Sequence, residues 1–494
     1  MEDVPLHSMA VSTLWRTILA IGLACGISAA TVALEERVRE VPDRSRSLPA
    51  LSEAMQSVAR APHHAPAQAA LANALFRNGD FEGAERAARE ALLIDPEEAD
   101  ALVVLARCLQ TSGRFAAAAE HLKQAADAAP RHPVALRLLA GCMDLNTNRG
   151  KAVALTQRFV ELNPPEQKLF VDHARQMLKL IKALGSLALS EQPPWDNRPA
   201  QLEIPMRLTG QGLFIELMAG DMKQRFLLDT GEESITVRSE TAKALGLKSL
   251  ASLPAVTASG VGQMPIALAP KIQVGGFHVK NVLVSMGAVD VVGPAFFAGY
   301  IASLDFQNRR LVLKRQAREA SPGPKDLIAA PKGFKRFRFR RLGNLIWVPI
   351  SSPGEPTALS NRPAWGVFDT GCQYPAAVTL RYLEALRSEP GKGPLALPFR
   401  AEVGGAAGGT GRSVVFYALK DFDLVFLGAR LSADGSAATK SFGEISKTTE
   451  AAMDLMIGWP LIHRAFKSVE IDYQRCILTV QPRTVPLPPA VGAP

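Results

Sequence analysis

The chain has 494 residues, of which 47% are hydrophobic and 21% are charged. This composition excludes a largely disordered protein, and the length suggests about three domains. The formal net charge of +9 is modest for this length, and no recognisable nucleic-acid-binding module surrounds the basic residues, so no nucleic-acid partner is expected. The five cysteines form no CxxC pair and have no metal-like spacing with histidine, so no disulfide framework and no metal site are predicted.

The N-terminus carries an apolar run at residues 17–34, preceded by Arg16. Because roughly 20 apolar residues span a bilayer, this run is marginally long enough for a membrane anchor. The small residues at 28–30 also suit cleavage of a signal peptide. Residues 1–45 are therefore expected to be a signal peptide or membrane anchor with a linker, rather than a buried helix. A signal peptide and a membrane anchor would both place the remaining chain in the periplasm or another extracytoplasmic space. A cleaved signal peptide would leave it free, and an anchor would hold it at the membrane.

A 34-residue repeat follows the leader. Pro96, Pro130 and Pro164 recur at this spacing. Small residues recur in register with them, in positions where two helices would approach closely: Ala72, Ala106, Ala140, Ala84, Ala118 and Ala152. The pattern resembles the tetratricopeptide repeat (TPR), a helix–turn–helix unit of the same period. The resemblance implies an α-helical solenoid over residues 46–190, capped by residues 166–187, with a groove for a protein partner or peptide. A purely structural spacer is the alternative.

From residue 195 onward, alternating apolar runs separated by glycine and turn residues predict β-strands. A charged stretch rich in proline and glycine, residues 315–333, divides this region into two halves. The predicted boundaries are 195–318 and 332–485, followed by a proline-rich tail at 486–494. The densest basic run, residues 332–341, alternates apolar and basic residues and is predicted to be one strand with a solvated face.

Each half contains the sequence Asp-Thr-Gly at the end of an apolar run, beginning at Asp229 and at Asp369. Each motif is followed by an apolar–apolar–Gly element, ending at Gly293 and at Gly458, and then by a hairpin pattern. The doubled pattern resembles the retropepsin-like aspartic proteases, with two lobes fused in one chain. The predicted fold is thus multidomain: an α-helical TPR solenoid followed by a bilobal, β-rich acid-protease fold.

The resemblance implies that Asp229 and Asp369 form one catalytic dyad that shares a proton, as in aspartic proteases generally. It also implies that Thr230 and Thr370 bond across the lobe interface. Four glycines would permit close packing around the aspartate loops: Gly231, Gly371, Gly293 and Gly458. This chemistry requires neither a cofactor nor a metal.

Retropepsin-like lobes also carry a flap, a glycine-bearing hairpin that closes over the substrate. The candidates are Gly260 and Gly262 in the first lobe, and Gly408 and Gly409 in the second. Plain loops are the alternative in both places. The expected substrate is a protein or peptide bound in extended form, because flaps and sheet edges pair with backbone.

The residues that follow the two motifs depart from the family, which usually has alanine or serine there. They are Glu232 and Cys372. Two orientations are open for Glu232: if it points towards the dyad, its charge would raise the shared pKa, and otherwise it points to solvent. Cys372 is expected to be a buried thiol rather than a redox-sensitive site. Two functions remain open: an aspartic endopeptidase whose TPR region recruits a substrate or partner, and a catalytically inactive binding scaffold. A serine or metal hydrolase is disfavoured because no GxSxG or HExxH motif occurs.

Overall fold

The computed structural model describes residues 47–257, 260–316, 330–351, 364–379, 382–383, 395–403, 412–420, 422–434, 436–439 and 448–484. The predicted leader at 1–45, the predicted tail at 486–494, and the flap candidates Gly408 and Gly409 lie outside these residues. Within the described part of the chain, no helix has both the length and the apolar character needed to cross a membrane.

The first half of the described chain is helical. Its helices are α1 Ser47–Arg60, α2 Ala65–Arg77, α3 Phe81–Ile94, α4 Ala99–Thr111, α5 Phe115–Ala128, α6 Pro133–Cys142, α7 Arg149–Leu162 and α8 Lys168–Leu184. All six repeat alanines are fully buried, which lets neighbouring helices pack closely. The turns after α2 and α4 use Gly79 and Gly113 at φ of 84° and 80°, a conformation that glycine adopts without strain. Helices α2 to α7 form three helix–turn–helix pairs, and α8 follows them.

The remainder is β-rich. The strands are β1 Gln201–Thr209, β2 Gly212–Ala219, β3 Met222–Leu228, β4 Ile235–Arg238, β5 Ser249–Thr257, β6 Gly260–Val274, β7 Phe277–Gly287, β8 Val291–Val292, β9 Tyr300–Asp305, β10 Arg310–Arg315, β11 Lys335–Arg338, β12 Arg340–Leu342, β13 Leu345–Ser351, β14 Ala364–Asp369, β15 Ala376–Thr379, β16 Leu395–Val403, β17 Arg412–Lys420, β18 Asp423–Phe426, β19 Ala429–Ser432, β20 Ala437–Thr439, β21 Leu455–Gly458, β22 Phe466–Asp472 and β23 Ile477–Pro482. Two short α-helices, α9 Ser239–Ala244 and α10 Trp459–Ala465, and three 3-10 helices, Pro165–Gln167, Trp195–Asn197 and Pro294–Phe297, complete the described elements.

The two lobes share one continuous sheet. Strands β11, β23 and β22 of the second lobe join β9, β10 and β1 of the first in that order. The junction is the antiparallel pair β9–β22, in which Leu304 lies opposite Val469. Backbone hydrogen bonds therefore fix the position of one lobe relative to the other.

The helical repeats pack directly against the second lobe. The Phe81 ring lies 5.3 Å from Trp365 and 6.4 Å from Trp347, measured between ring centroids. The indole N–H of Trp365 donates a 2.8 Å hydrogen bond to the carbonyl of Gly79. Full burial of each large apolar side chain contributes about 1.5–3 kcal/mol. This shared core makes the repeats and the second lobe one packed unit.

The prediction of one strand with a solvated face for the basic run at 332–341 differs from the structure in two ways. The run forms two strands, β11 and β12, which are interrupted at the buried Phe339. Its basic side chains do not all face solvent either. Arg340 pairs with Glu82, and Arg341 lies 5.2 Å from the centroid of the Phe115 ring. The helical repeats thus cover part of the face that the alternating pattern assigns to water, whereas Lys335 and Arg338 are exposed.

Candidate active site

The two aspartates occupy equivalent positions in the two lobes. Asp229 directly follows β3, and Asp369 ends β14. Each strand pairs in parallel with a short strand that leads to a glycine: β3 with β8 before Gly293, and β14 with β21, which ends at Gly458. Asp229 is 1% exposed and Asp369 is 0% exposed. The repeated strand arrangement thus delivers two carboxyl groups to one buried place between the lobes.

Backbone amides hold one oxygen of each carboxyl group. The N–H of Gly231 donates to Asp229 Oδ1 at 2.7 Å, and the N–H of Gly371 donates to Asp369 Oδ1 at 2.8 Å. Each carboxyl group lies against the glycine of the opposite aspartate loop, so the two groups are close to each other. A hydrogen bond between them needs a proton on one of them, since an ionised carboxylate only accepts. With both ionised, Asp369 Oδ2 has no donor among the described residues.

Two threonines lock the aspartate loops together across the lobe interface. The N–H of Thr230 donates to Thr370 Oγ1 at 2.9 Å, and the N–H of Thr370 donates to Thr230 Oγ1 at 3.0 Å. Each hydroxyl then donates to a carbonyl of the opposite lobe, Thr230 to Phe368 at 2.9 Å and Thr370 to Leu228 at 2.8 Å. All four bonds are buried, so the separation of the two loops is tightly restrained.

The four predicted glycines lie where a side chain would not fit. A Cβ on Gly371 would overlap the Asp229 carboxyl group, and one on Gly231 would lie 3.0 Å from that of Asp369. A Cβ on Gly293 would overlap the carbonyl of Glu232. Glycine at these positions therefore allows the loops to approach each other and the strands beneath them.

Substitution of Gly458 by alanine should destabilise the protein strongly. The new methyl group would overlap the backbone carbonyl of Tyr374, which cannot rotate away as a side chain would. Overpacking of this kind costs about 1–3 kcal/mol or more. Urea denaturation should show the loss. Gly150→Ala is the matched control, because nothing lies within 4 Å of its Cβ position, and it should leave the free energy of unfolding unchanged or slightly raised. Equal effects of the two variants would contradict the packing argument.

Burial dominates the electrostatics of the pair. It raises the pKa of Asp229 well above the ordinary range, and the nearby charge of Asp369 raises it further. Burial also raises the pKa of Asp369, although hydrogen bonds from the amides of Gly371 and Cys372 partly offset this. Two carboxyl groups in this environment cannot both ionise near neutral pH, so they retain one proton between them.

Glu232 is a third buried carboxyl group beside the dyad. It is only 8% exposed, and Oε1 accepts a 3.2 Å hydrogen bond from the N–H of Glu233. Burial, together with the charge of Asp229, raises the pKa of Glu232 to about 7. Of the two orientations left open by the sequence, the structure shows the buried one. Cys372, its counterpart in the second lobe, is a fully buried thiol, as the sequence suggests, and its Sγ lies 3.7 Å from the carbonyl oxygen of Tyr374.

The first-lobe flap candidates lie in a β-hairpin. Strands β5 and β6 pair in antiparallel register, with Thr257 opposite Gly260 and Ala255 opposite Gly262. Helix α8 packs on this hairpin, where Leu180 shares an apolar cluster with Leu253. The helical region therefore braces the hairpin as well as the second lobe.

Several residues near the dyad were not identified from the sequence. The Tyr473 hydroxyl is buried without a hydrogen-bond partner among the described residues, and the charges of both aspartates reinforce the rise in its pKa caused by burial. Asn344 Nδ2 donates to the carbonyl of Glu233, and Gln373 Nε2 donates to that of Gln211. A sequence signal exists for these cross-lobe contacts, because Gly-Gln and Gly-Asn turns precede the two aspartates at corresponding places.

Comparisons with known proteins agree with both resemblances. Residues 75–142 match the tetratricopeptide repeat family model, and residues 215–292 match the model described as a gag-polyprotein putative aspartyl protease. The chain therefore contains a TPR segment and, in residues 215–292, a segment similar to the gag-polyprotein aspartyl proteases. No curated protein matches the chain.

Two solved structures illustrate the local likenesses. The type III secretion translocator chaperone SycD of Yersinia enterocolitica is 22% identical with a TM-score of 0.22, and the match covers 23% of this chain and 81% of that one. A retropepsin-like aspartic protease from Rickettsia conorii is 20% identical with a TM-score of 0.19, and the match covers 23% of this chain and 90% of that one.

Proposed function

We propose that this protein is an aspartic endopeptidase that hydrolyses peptide bonds with an intramolecular dyad, Asp229 and Asp369. The observation that carries the proposal is the buried pair of carboxyl groups, which are oriented by backbone amides and brought together by the crossed bonds of Thr230 and Thr370. A protein that only binds peptides would gain nothing from two adjacent buried carboxyl groups, since burial of such groups costs stability.

In the proposed mechanism, the ionised member of the dyad accepts a proton from a water molecule as that water attacks the scissile carbonyl. The protonated member donates its hydrogen bond to the carbonyl oxygen, where negative charge develops. Collapse of the tetrahedral intermediate returns a proton to the leaving amine. The amides of Gly231 and Gly371 each bind Oδ1 of one aspartate and so keep both carboxyl groups oriented throughout.

We further propose that the TPR region binds a protein partner or a substrate. The family match supports this role, because such repeats commonly bind peptides in their inner face. Part of that face already contacts the second lobe, where Arg107 and Arg137 reach Glu450. The proposed partner therefore binds beside this contact. Export of the protein, with or without a membrane anchor, is proposed from the apolar run at residues 17–34.

The test is cleavage of a diverse peptide library by the purified protein between about pH 3 and pH 8, because the dyad must hold a single proton to act. A statine-type inhibitor should block the reaction, since its hydroxyl group occupies the position of the attacking water. Cleavage that is insensitive to the inhibitor would contradict the proposal. A folded protein that cleaves nothing across this range would instead favour the inactive binding scaffold.

Glu232 should set the alkaline limit of this activity. Glu232→Gln should shift the alkaline limb of the pH–rate profile towards lower pH by up to about one unit. When Glu232 ionises, its negative charge helps the dyad to retain its proton, and glutamine removes that charge. The acid limb should not move, because Glu232, with a pKa of about 7, is neutral there in any case.

Profiles of kcat/KM against pH for the variant and the native protein measure this effect. Glu240→Gln is the control, because Glu240 lies exposed on α9, and it should leave both limbs in place. A Glu232→Gln profile that coincides with the native one would show that Glu232 does not interact with the dyad.

A further inference from the structure

A cavity of about 120 Å³ lies between the helical repeats and the second lobe. Helices α2, α4, α5, α6 and α8 form one side of it. The turn between β12 and β13 and the segment 448–450 form the other. None of the residues that line this cavity belongs to the dyad or to the aspartate loops, so it is a separate feature of the molecule.

The cavity carries more positive than negative charge. Arg107 Nη2 and Arg137 Nη2 both contact the same oxygen, Glu450 Oε2, at 3.0 Å and 3.2 Å. Arg341 also lines the cavity. Arg341 donates to the carbonyl of Gly343 and to Asn344 Oδ1, so the lining contains three guanidinium groups and one carboxylate, which two of them share. Arginine presents several N–H donors in a rigid fork, so two of these side chains can bind a second carboxylate without releasing the first.

His173 provides a second, independent indication of a ligand. It is 5% exposed and lines the cavity, yet neither ring nitrogen has a hydrogen-bond partner among the described residues. Burial lowers the pKa of His173 to about 3, so the ring is neutral and offers one donor and one acceptor. A buried polar group without partners is unfavourable, and a bound molecule that supplies them would relieve that cost.

The remaining lining combines apolar side chains with uncharged polar ones, Gln110, Thr111, Thr448 and Thr449. The rings of Phe115 and Phe170 line the cavity, and the Arg137 guanidinium lies 4.0 Å from the centroid of Phe170. Since a cavity of about 150 Å³ accommodates benzene, this one is suited to a group of roughly that size. Its walls match a small apolar body that carries one anionic end.

We propose that this cavity binds a carboxylate with a short apolar body, supplied either by a free organic acid or by the last residue of a peptide. The arginines bind the carboxylate, His173 hydrogen-bonds to it, and the phenylalanine rings pack on the apolar part. Segment 448–450 leads into β21, which pairs with the strand that carries Asp369. A bound carboxylate would therefore tie the helical repeats to the active lobe. The site does not depend on peptide cleavage, so it can be tested whether or not the protein is a protease.

The first test is calorimetric titration of the full chain with phenylpropionate and with phenylpropanamide, its uncharged analogue. The acid should bind, and the amide should bind at least about tenfold more weakly, because it cannot form charge-assisted hydrogen bonds. A second arm compares an acetylated dipeptide that ends in phenylalanine with its C-terminal amide. Tighter binding of the peptide acid than of phenylpropionate identifies a peptide terminus as the ligand, and the reverse order identifies a free acid. If neither acid binds, or if acids and amides bind equally, the proposal is wrong.

The second test uses His173→Leu. This change removes an unpaired buried imidazole, so the melting temperature of the free protein should stay the same or rise. Affinity for the acid should nevertheless fall about tenfold, because the hydrogen bond to the ligand is lost. His121→Leu, on the exposed face of α5, is the matched control and should change neither quantity. Unchanged affinity in His173→Leu would overturn the assignment of His173, and Arg137→Lys, which keeps the charge but loses the fork, tests the arginine pair separately.

Discussion

Asp229→Asn and Asp369→Asn should each reduce peptide cleavage by at least about a thousandfold, because general acid–base catalysis contributes about 10²–10⁴ and the dyad needs one ionised and one protonated carboxyl group. Asparagine has the same shape as aspartate, so the loops should keep their structure. It cannot accept a proton from the attacking water. The same loss in both variants is expected since the dyad acts as one unit.

Stability measurements show whether a variant loses activity because catalysis is lost or because the protein unfolds. Burial raises the pKa of Asp369, so the folded state keeps a proton that the unfolded chain releases at ordinary carboxyl pKa values. The native protein therefore loses stability as pH rises from the ordinary carboxyl pKa of the unfolded chain to the raised pKa of the folded protein. Asp369→Asn does not titrate and should be at least as stable as the native protein at pH 8. Asp221→Asn, at an exposed turn, is the activity control. Cleavage retained in either dyad variant would exclude the proposed mechanism.

Glu450→Gln should destabilise the protein by about 3 kcal/mol. The carboxylate is the shared counter-ion of Arg107 and Arg137, whose side chains are 9% and 10% exposed. Glutamine fills the same space without the charge, so two largely buried guanidinium groups lose their compensation. Because this contact joins the helical repeats to the second lobe, the loss should loosen the packing between them.

Urea denaturation measures this effect, and the exposed ion pairs of α8 supply the control. Asp172→Asn removes the partner of Lys168 and Arg175, which are well exposed, and should cost less than about 1 kcal/mol. The arginines lower the pKa of Glu450, so its contribution is present above the ordinary carboxyl pKa and disappears as pH falls through the lower, folded value. A native protein and a Glu450→Gln variant of equal stability at neutral pH would show that the contact is energetically neutral.

The parts of the fold that repeat could be predicted from the sequence. Prolines at a fixed spacing and alanines in register indicate the helix pairs, and two Asp-Thr-Gly motifs in matched surroundings indicate the lobes and the dyad. In each case a regular pattern reflects a local structural requirement that restricts the residue type: a helix end, a close helix contact or a tight loop. Comparison of the repeated segments within this chain therefore identifies the important positions, as a comparison of related proteins would.

Contacts between the regions could not be predicted in this way. Glu450 lies in an irregular segment, and its partners Arg107 and Arg137 lie more than 300 positions earlier on two different helices. No local pattern records such a pairing. The basic run at 332–341 shows the same limit, because its alternation distinguishes two faces of a strand but not whether solvent or a helix covers the polar face. The inward orientation of Glu232 likewise depends on the packing of a turn.

The pairing of β9 with β22 has a consequence for how substrates are distinguished. A homodimeric protease must place the same residue on both sides of its cleft, whereas a peptide has a direction and presents different groups on either side of the bond that is cut. Here one polypeptide supplies both sides, so each side can change independently. Glu232 on one side and Cys372 on the other already differ in charge, size and hydrogen bonding. Because both lobes belong to one chain, the two sides of the proposed cleft can differ, and a peptide substrate can then bind in one preferred direction.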